Sequence, residues 1–379
     1  MNFILITVSG FFLFCNFSSF FLLPVFISGL GGDEAQIGYV MGSFGITSLL
    51  CLPFISTLAD RHGRKVFMTA GALAMTAASV CFVFVQEVGY AVFALRLIQG
   101  AAFASFYTAA LTMVSDIAET NRLSERLGIF GGITMLSYAA GPTVGEWIMN
   151  THGDDGLFVY ASFFSLAAFV TALFVRENNF TPQEDKTSFG KFFKLFAEKK
   201  YGIIFLTNLA MAVGLGSMLN FFAVFAHENR FEASRFFLTY ALTIISVRIF
   251  FSKFADRIGR KTVASPAIFL AATALVLISQ ARSEAQIILL CFLFSAGYGL
   301  MFPTLGAMVR EKTQNGTAKA MGAFNSSFSL GINYAAFPLG IVAERAGLRT
   351  MYVLAGLVVF TGFAVFQIFE RKTAGESET

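Results

Sequence analysis

Two short charged motifs recur in an otherwise strongly apolar chain. The first occupies residues 58–65 (LADRHGRK) and the second residues 254–261 (FADRIGRK), so their aspartates lie 196 positions apart in a chain of 379 residues. A second pair of segments, 138–142 (YAAGP) and 334–338 (YAAFP), shows the same offset. The repeated spacing predicts a protein built from two similar halves.

Asp60 is the residue of the first motif whose charge most needs a partner. It ends a long apolar run, and the negative C-terminal pole of a helix disfavours a carboxylate there. An arginine or the N-terminus of another helix would compensate the charge. If that partner belongs to the other half, the contact exists in only one of two conformations and acts as a latch. The alternative is a charged loop that only anchors the topology.

Three further charged residues, Arg96, Glu146 and Arg248, lie within long apolar runs. An arginine keeps its proton, so inside such a run it has to face a cavity or a paired group. For Arg248 the alternative is a side chain that reaches the nearby aqueous interface. Glu146 is either solvated at the end of its helix or a proton-binding site.

The composition indicates which elements position these charges. Hydrophobic residues make up 56% of the chain and charged residues only 13%, which is more apolar surface than a soluble domain of this size can bury. A helix needs about 20 apolar residues to cross a bilayer core of about 30 Å. Twelve segments qualify as spans: 3–28, 36–58, 66–86, 88–115, 127–149, 157–175, 202–226, 236–254, 262–281, 284–309, 319–342 and 348–369.

The distribution of lysine and arginine predicts the orientation. With both termini in the cytoplasm, cytoplasmic segments hold 20 of these residues and the outer loops hold five, as the positive-inside rule requires. The formal net charge of +4 is therefore a topology signal, and we expect no nucleic-acid partner.

These features predict an all-α membrane protein with twelve transmembrane helices in two six-helix bundles. The N-terminal bundle occupies 1–176, a cytoplasmic linker 177–201, and the C-terminal bundle with a short tail 202–379. Phenylalanines recur among the lysines of the linker, which indicates a basic amphipathic helix on the inner leaflet. A solvated linker is the alternative.

The sequence suggests neither a metal site nor a cofactor. The four cysteines lie in predicted spans without metal-type spacing, and the patterns H-E-x-x-H, C-x-x-C and G-x-x-x-x-G-K-[ST] do not occur. We therefore expect no metal, no cofactor and no enzymatic activity.

The motif at 58–65 resembles the loop 2–3 signature of the major facilitator superfamily, G-x-L-A-D-R-x-G-R-K, with Ser56 in place of the first glycine. The resemblance extends over essentially the whole chain. It implies the fold of that superfamily, two pseudo-symmetric bundles in a monomer, and a latch that holds the outward-facing state. The expected latch residues are Asp60, Arg61, Gly63, Arg64, Lys65, Asp256, Arg257 and Arg260.

Two more segments resemble motifs of exporters in this superfamily. Residues 96–100 (RLIQG) are similar to R-x-x-Q-G, which is associated with proton-linked exporters. Residues 131–146 are similar to the antiporter motif G-x-x-x-G-P-x-x-G-G, with Glu146 in place of the last glycine. Small residues and a proline there would allow close helix packing and a bend. The expected gating-helix residues are Gly141, Pro142 and Gly145, and the expected coupling residues are Arg96, Gln99, Glu146 and Arg248.

By the same resemblance, spans 1, 4, 7 and 10 line a central cavity. Their middles contain no Asp or Glu, so proton coupling lacks an obvious carboxylate carrier. An aromatic lining with a few amides and hydroxyls suits amphipathic or aromatic molecules better than a multiply charged anion. The expected lining residues are Asn16, Ser19, Phe20, Phe103, Tyr107, Asn208, Met211, Asn220, Phe221, Tyr298 and Phe302.

The leading functional hypothesis is a multi-pass secondary active transporter of the cytoplasmic (inner or plasma) membrane. It would export a small amphipathic or aromatic organic compound by alternating access, with protons as the coupling ion. The alternative is uptake or facilitated diffusion of a metabolite such as a sugar or organic acid, which fold alone does not exclude. A third hypothesis is an intramembrane enzyme or receptor without transport.

Overall fold

The computed structural model describes residues 1–117, 122–177, 199–313 and 317–375, without the side chains of 123–124, 199–200, 252–257, 317–319 and 369–375. These parts of the chain are helical, with short turns and no strand. Two 3₁₀ turns, Phe20–Leu22 and Phe82–Phe84, accompany the α-helices. The α-helices are α1 (Asn2–Ser19), α2 (Leu23–Gly29), α3 (Glu34–His62), α4 (Arg64–Cys81), α5 (Tyr90–Asp116), α6 (Leu123–Leu173), α7 (Lys199–Glu228), α8 (Ala233–Ile258), α9 (Arg260–Ile278), α10 (Glu284–Glu311), α11 (Thr317–Tyr334) and α12 (Ala336–Gly375).

The chain divides into two compact units. The first comprises Met1–Lys186 together with Glu232–Ala241, and the second comprises Thr187–Phe231 together with Leu242–Thr379. Helix α8 therefore starts in the first unit and continues into the second. The expected domain boundaries at 176 and 201 remain predictions, and residues 178–198 of the expected linker lie outside the described residues.

The internal repeat is visible in the backbone. Gly63 separates α3 from α4 at φ = 97°, and Gly259 separates α8 from α9 at φ = 106°. Only glycine adopts this conformation without strain, because any other side chain would clash with the backbone. The two charged motifs therefore form the same helix–glycine–helix turn, one in each unit.

One helical segment of each unit is far more buried than its neighbours. In the most apolar 18-residue stretch of Asn2–Gly29, 83% of the residues are buried. The corresponding share is 89% for Tyr201–Glu228 and 33–56% for the other apolar helices. The less buried helices expose large apolar side chains such as Phe84, Phe163 and Phe250. We call these two most buried segments the central helices of their units. The other helices carry apolar side chains on exposed faces, as expected for a multi-pass membrane protein.

Ten helices in the described part of the chain are long and apolar enough to cross a membrane. Two of these helical segments, Glu125–Leu173 and Ala320–Ile368, have 49 residues each, more than twice the about 20 residues that one span needs, and the second comprises most of α11 and α12. Each contains a glycine with non-helical backbone angles, Gly153 at φ = 77° and Gly347 at φ = 83°. The all-helical class is confirmed, while the expected count of twelve spans and the orientation remain predictions.

The structure divides two predicted spans more finely than hydropathy indicates. Predicted span 1 consists of α1, a 3₁₀ turn and α2, which begins with Pro24 in its first turn. Predicted span 11, at 319–342, is interrupted between Tyr334 and Ala336, a few residues before Pro338. Proline lacks the backbone N–H that helix continuation uses, and it disfavours helical angles just before it.

Candidate functional site

The turn at Gly63 is held by Glu177, a residue that follows α6. Glu177 Oε1 accepts a hydrogen bond from Arg64 N at 2.7 Å, and its Oε2 accepts one from Lys65 N at 3.1 Å. The carboxylate therefore caps the N-terminus of α4, where unpaired N–H groups and the helix dipole favour a negative charge. Sequence reasoning did not identify Glu177, because its partners are backbone groups more than 110 positions away.

Asp60 contacts Arg64 of its own motif. Arg64 Nη2 lies 3.2 Å from Asp60 Oδ1, and the same guanidinium pairs with Asp116 at the end of α5. Lys65 Nζ donates to Leu173 O at 2.8 Å, whereas Arg61 is exposed. The charge of Asp60 is thus compensated within the first unit, and the latch function expected for this motif remains a prediction.

The second motif repeats part of this network. Arg260 Nη1 lies 3.1 Å from Glu311 at the end of α10, as Arg64 pairs with Asp116 at the end of α5. Asp256 and Arg257 belong to α8, but their side chains are outside the described residues. Each unit therefore has an arginine just after the turn glycine that pairs with an acid at the end of a neighbouring helix.

The Glu177 cap gives a first testable prediction. Glu177→Ala leaves two N–H groups of α4 without an acceptor, so we expect a loss of stability of about 0.5–2 kcal/mol. The melting temperature of the detergent-purified protein should fall measurably. Glu125→Ala is the matched control, because Glu125 forms an exposed pair with Arg122 three residues earlier in the chain, a type of contact that contributes little. Equal melting temperatures for the two variants would contradict the capping function.

Arg96 lies in α5 and is 3% exposed. Its Nη1 donates to Gln99 Oε1 at 3.0 Å, and its Nη2 lies 3.8 Å from Met41 Sδ. The guanidinium carbon is 4.7 Å from the ring centroid of Phe44 and 5.8 Å from that of Phe20. No carboxylate among the described residues pairs with it. Arg96 is a buried cation stabilised by aromatic faces and one amide.

Arg248, the second arginine expected to contribute to coupling, is half-buried in α8. Its neighbours Ile249 and Phe250 are 66% and 73% exposed. Within the described part of the chain it forms no ion pair. This position is compatible with both of its interpretations, a cavity-facing charge and a side chain that reaches the interface.

Gly141 lies where α6 packs closely against α1. A Cβ atom at this position would lie 2.7 Å from Cys15 O and 3.0 Å from Ser19 N, so no larger residue fits without moving a backbone. Pro142 is buried beside it, and a Cβ at Gly145 would lie 3.0 Å from Leu157 and 3.2 Å from Leu22. The segment that resembles the antiporter motif is thus where α6 packs tightly against the central helix of its unit.

Glu146, which lies just over one turn after Gly141 on α6, accepts two backbone hydrogen bonds. Its Oε1 is 2.9 Å from Ala233 N and its Oε2 is 2.7 Å from Ser234 N, the first two residues of α8. The stacked rings of Phe21 and Phe237, 5.3 Å apart, further attach the start of α8 to the first unit. Glu146 is therefore a half-buried helix cap, a function that the sequence did not indicate.

The amides expected to line the cavity hold helices together in this structure. Asn16 Nδ2 donates to Ser79 Oγ at 2.8 Å and to Ala161 O at 2.7 Å. Asn208 Nδ2 donates to Phe324 O and to Ser327 Oγ, both at 2.9 Å. These two asparagines occupy the central helices of the two units. In both, Oδ1 is buried without a hydrogen-bond partner among the described residues.

The other expected lining residues are buried or half-buried. Phe103 and Tyr107 are half-buried and stack with ring centroids 5.7 Å apart. Phe302 is half-buried and lies 6.2 Å from Tyr298, again measured between centroids. The remaining members of the set are buried, namely Ser19, Phe20, Met211, Asn220, Phe221 and Tyr298. Contact of these residues with a substrate stays a prediction.

No group of three or more His, Cys, Asp or Glu residues that could hold a metal ion occurs in the described part of the chain. Asp33, a carboxylate near the start of the second predicted span, caps α3 by accepting from Gln36 N at 2.7 Å. Asp33, Asp60, Asp116, Glu146 and Glu177 are therefore engaged in caps and ion pairs.

Comparison with known proteins agrees with this architecture. The family model described as the Major Facilitator Superfamily matches residues 5–336. Multidrug resistance protein 2 of Bacillus subtilis is 24% identical over 367 residues, which cover 93% of this chain and 90% of that protein. The multi-drug resistance efflux pump PmrA of Streptococcus pneumoniae is 26% identical over 322 residues, which cover 81% and 79%.

Solved structures share the fold at lower sequence identity. The nucleoside transporter NupG superposes with a TM-score of 0.82 at 16% identity, covering 97% of this chain and 99% of that one. A transporter of the POT family, solved with a thioalcohol-conjugated peptide, gives 0.81 at 14% identity, covering 98% and 96%. At these identities the likeness shows the fold alone.

Proposed function

Since the chain belongs to the major facilitator superfamily, we propose that this transporter exports small amphipathic or aromatic organic molecules across the cytoplasmic membrane in exchange for protons. Transport by a multi-pass membrane protein follows from the family. Direction, substrate class and proton coupling are the proposed part. Several relatives carry the name of multidrug resistance or efflux proteins, which supports the export direction.

The observation that carries the proposal is the close packing of α6 on α1 at Gly141. Backbone atoms of Cys15 and Ser19 fill the space that any side chain at this position would need. An exporter driven by protons has to seal its path against proton leakage while it changes conformation. Close contact between backbones, without side chains in between, is a direct way to form such a seal in a membrane.

We also propose twelve spans with both termini in the cytoplasm. The breaks at Gly153 and Gly347 divide each of the two 49-residue helices into two spans, which turns ten apolar helices into twelve. The lysine and arginine distribution supports the orientation. On this topology the Gly63 and Gly259 turns face the cytoplasm, and the contact between Glu146 and α8 faces outside.

Alternating access requires contacts that break on one face while others form on the opposite face. We propose that Glu146 is such a contact on the outer face. It ties the first turn of α8 to the first unit, whereas the remainder of α8 belongs to the second unit. Opening the outer side would release this cap, and the freed carboxylate would then be available to bind a proton.

Transport in oriented membrane vesicles tests the direction. We expect fluorescent aromatic compounds to accumulate in everted vesicles with an acidic interior, and to do so only when the protein is present. Vesicles from cells without the protein serve as the control. Accumulation in right-side-out vesicles, with none in everted ones, would contradict export and favour uptake of a metabolite.

A further inference from the structure

Arg96 and Gln99 form a pair of buried side chains with unused hydrogen-bond donors. A guanidinium only donates, so Gln99 has to turn its oxygen toward Arg96, as the 3.0 Å contact shows. Among the described residues, the Gln99 amide nitrogen is thus left without a partner, and Arg96 Nε has none either. Both residues are buried, at 0% and 3% exposure. The pair therefore has two free donors and lacks an acceptor.

The charge of Arg96 is also uncompensated in the described part of the chain. Its contacts are the sulfur of Met41 and the faces of Phe44 and Phe20, and no carboxylate pairs with it. Aromatic faces attract a cation but do not neutralise it. A buried arginine without a counter-ion is costly in a membrane protein and marks a place where an anion would be stabilised.

Aromatic rings continue from the arginine along one side of α5. Phe103 and Tyr107 lie seven and eleven positions after Arg96, which is the spacing of one helix face. The ring of Phe44 lies 5.6 Å from that of Phe103, and Phe103 stacks on Tyr107 at 5.7 Å. A charged end is thus followed by a row of flat apolar surfaces.

We propose that Arg96 and Gln99 bind the anionic group of the substrate, and that the transported molecule is an aromatic monoanion such as an arylcarboxylate. The carboxylate would accept hydrogen bonds from the Arg96 guanidinium or the Gln99 amide, which both have unused donors. The rings of Phe44, Phe103 and Tyr107 would pack against its aromatic body. Cationic compounds would be rejected, since the same position already holds a positive charge. This inference deepens the proposed transport function and rests on it.

Binding to the purified protein tests the inference without any gradient, so a failure of proton coupling would not affect the result. The probes are 2-naphthoate, the neutral 2-naphthamide and the cationic 2-naphthylmethylammonium, which share one aromatic body. Isothermal titration should show the acid binding roughly tenfold more tightly than the amide, with the cation weakest. Equal binding of the three probes, or no binding of the acid, would overturn the proposal.

Variants of the protein test whether Arg96 and Gln99 cause the preference for the acid over the amide. Arg96→Gln should abolish the difference between the acid and the amide, and Arg96→Lys should keep part of it, because lysine retains the charge without the planar fork. Arg126→Gln is the matched control, since Arg126 also lies over an aromatic ring, that of Phe3 at 4.4 Å, but outside this row. If Arg96→Gln fails to fold, Gln99→Leu should still reduce the preference for the acid severalfold. An unchanged preference in Gln99→Leu and Arg96→Gln would exclude this site.

Discussion

Replacing Gly141 with leucine should abolish concentrative transport while the protein still inserts into the membrane. The new side chain would have to occupy space filled by the backbone of Cys15 and Ser19 on α1. Overpacking of this kind typically costs about 1–3 kcal/mol, so the seal between α1 and α6 should open. We expect roughly a tenfold or greater loss of substrate accumulation and a faster collapse of an imposed pH gradient without substrate.

Gly132→Leu is the matched control for this prediction. Gly132 lies on the same helix, and a Cβ atom there would have no neighbour within 4 Å. Both variants add the same side chain to α6, so a general effect of bulk or helix propensity would appear in both. Normal transport and a normal rate of gradient collapse in Gly141→Leu would show that the close packing has no sealing function.

Replacing Glu146 with glutamine should shift the protein toward a conformation that is open on the outer side. The amide keeps the size of the carboxylate but loses the charge, and its NH₂ group cannot accept from Ala233 or Ser234. Hydrogen bonds to a charged group contribute about 1.5–3 kcal/mol, so losing one or both should change a two-state population roughly tenfold or more.

Spin labels on the outer loops measure this shift. On the proposed topology Asn150 and Arg345, both exposed, lie on the outer side, one in each unit, and labels there report a change in their separation, in a background where Cys51 and Cys81 are serine. We expect longer distances in Glu146→Gln and an unchanged distribution in Glu177→Gln, which loses the equivalent cap on α4. Identical distributions in the parent and in Glu146→Gln would show that this cap does not control the outer side.

Much of the fold could be predicted from the sequence because the strongest signals are local. Apolar runs separated by polar turns predicted the helices, and the duplicated motif predicted matching turns at Gly63 and Gly259. Hydropathy predicted the end residues of the spans less accurately. Helix α3 reaches His62, four residues past the predicted end at 58, because a helix continues into water where the apolar run stops. The breaks at Gly153 and Gly347 lie in the gaps predicted between spans at 150–156 and 343–347, but hydropathy does not show that a single glycine with non-helical angles makes each break.

The candidate site was less predictable, because its main contacts join side chains to distant backbone groups. Nothing in residues 233–234 marks their N–H groups as partners of Glu146, 87 and 88 positions away. The same holds for Glu177 and the first turn of α4. Asn16 shows the converse difficulty. A buried amide in a central helix can bind a ligand or another helix, and the residue type alone does not distinguish the two.

Arg96 was predictable as a residue that needs a partner, since a charge inside an apolar run is always costly. The sequence could not show which groups surround it. The structure places it between the rings of Phe44 and Phe20 and beside Gln99, with no carboxylate of the described residues paired to it, and this arrangement is the basis for proposing an anion site in place of a coupling residue.

Proton movement during transport is the most direct test of the proposed exchange. The purified protein would be reconstituted in liposomes that contain a pH-sensitive dye, and fluorescent aromatic compounds of negative, zero and positive charge would be added in turn. We predict proton flux across the membrane, opposite in direction to the compound, whenever a transported compound is present. Movement of a compound down its gradient without any proton flux would contradict the account and identify the protein as an uncoupled facilitator.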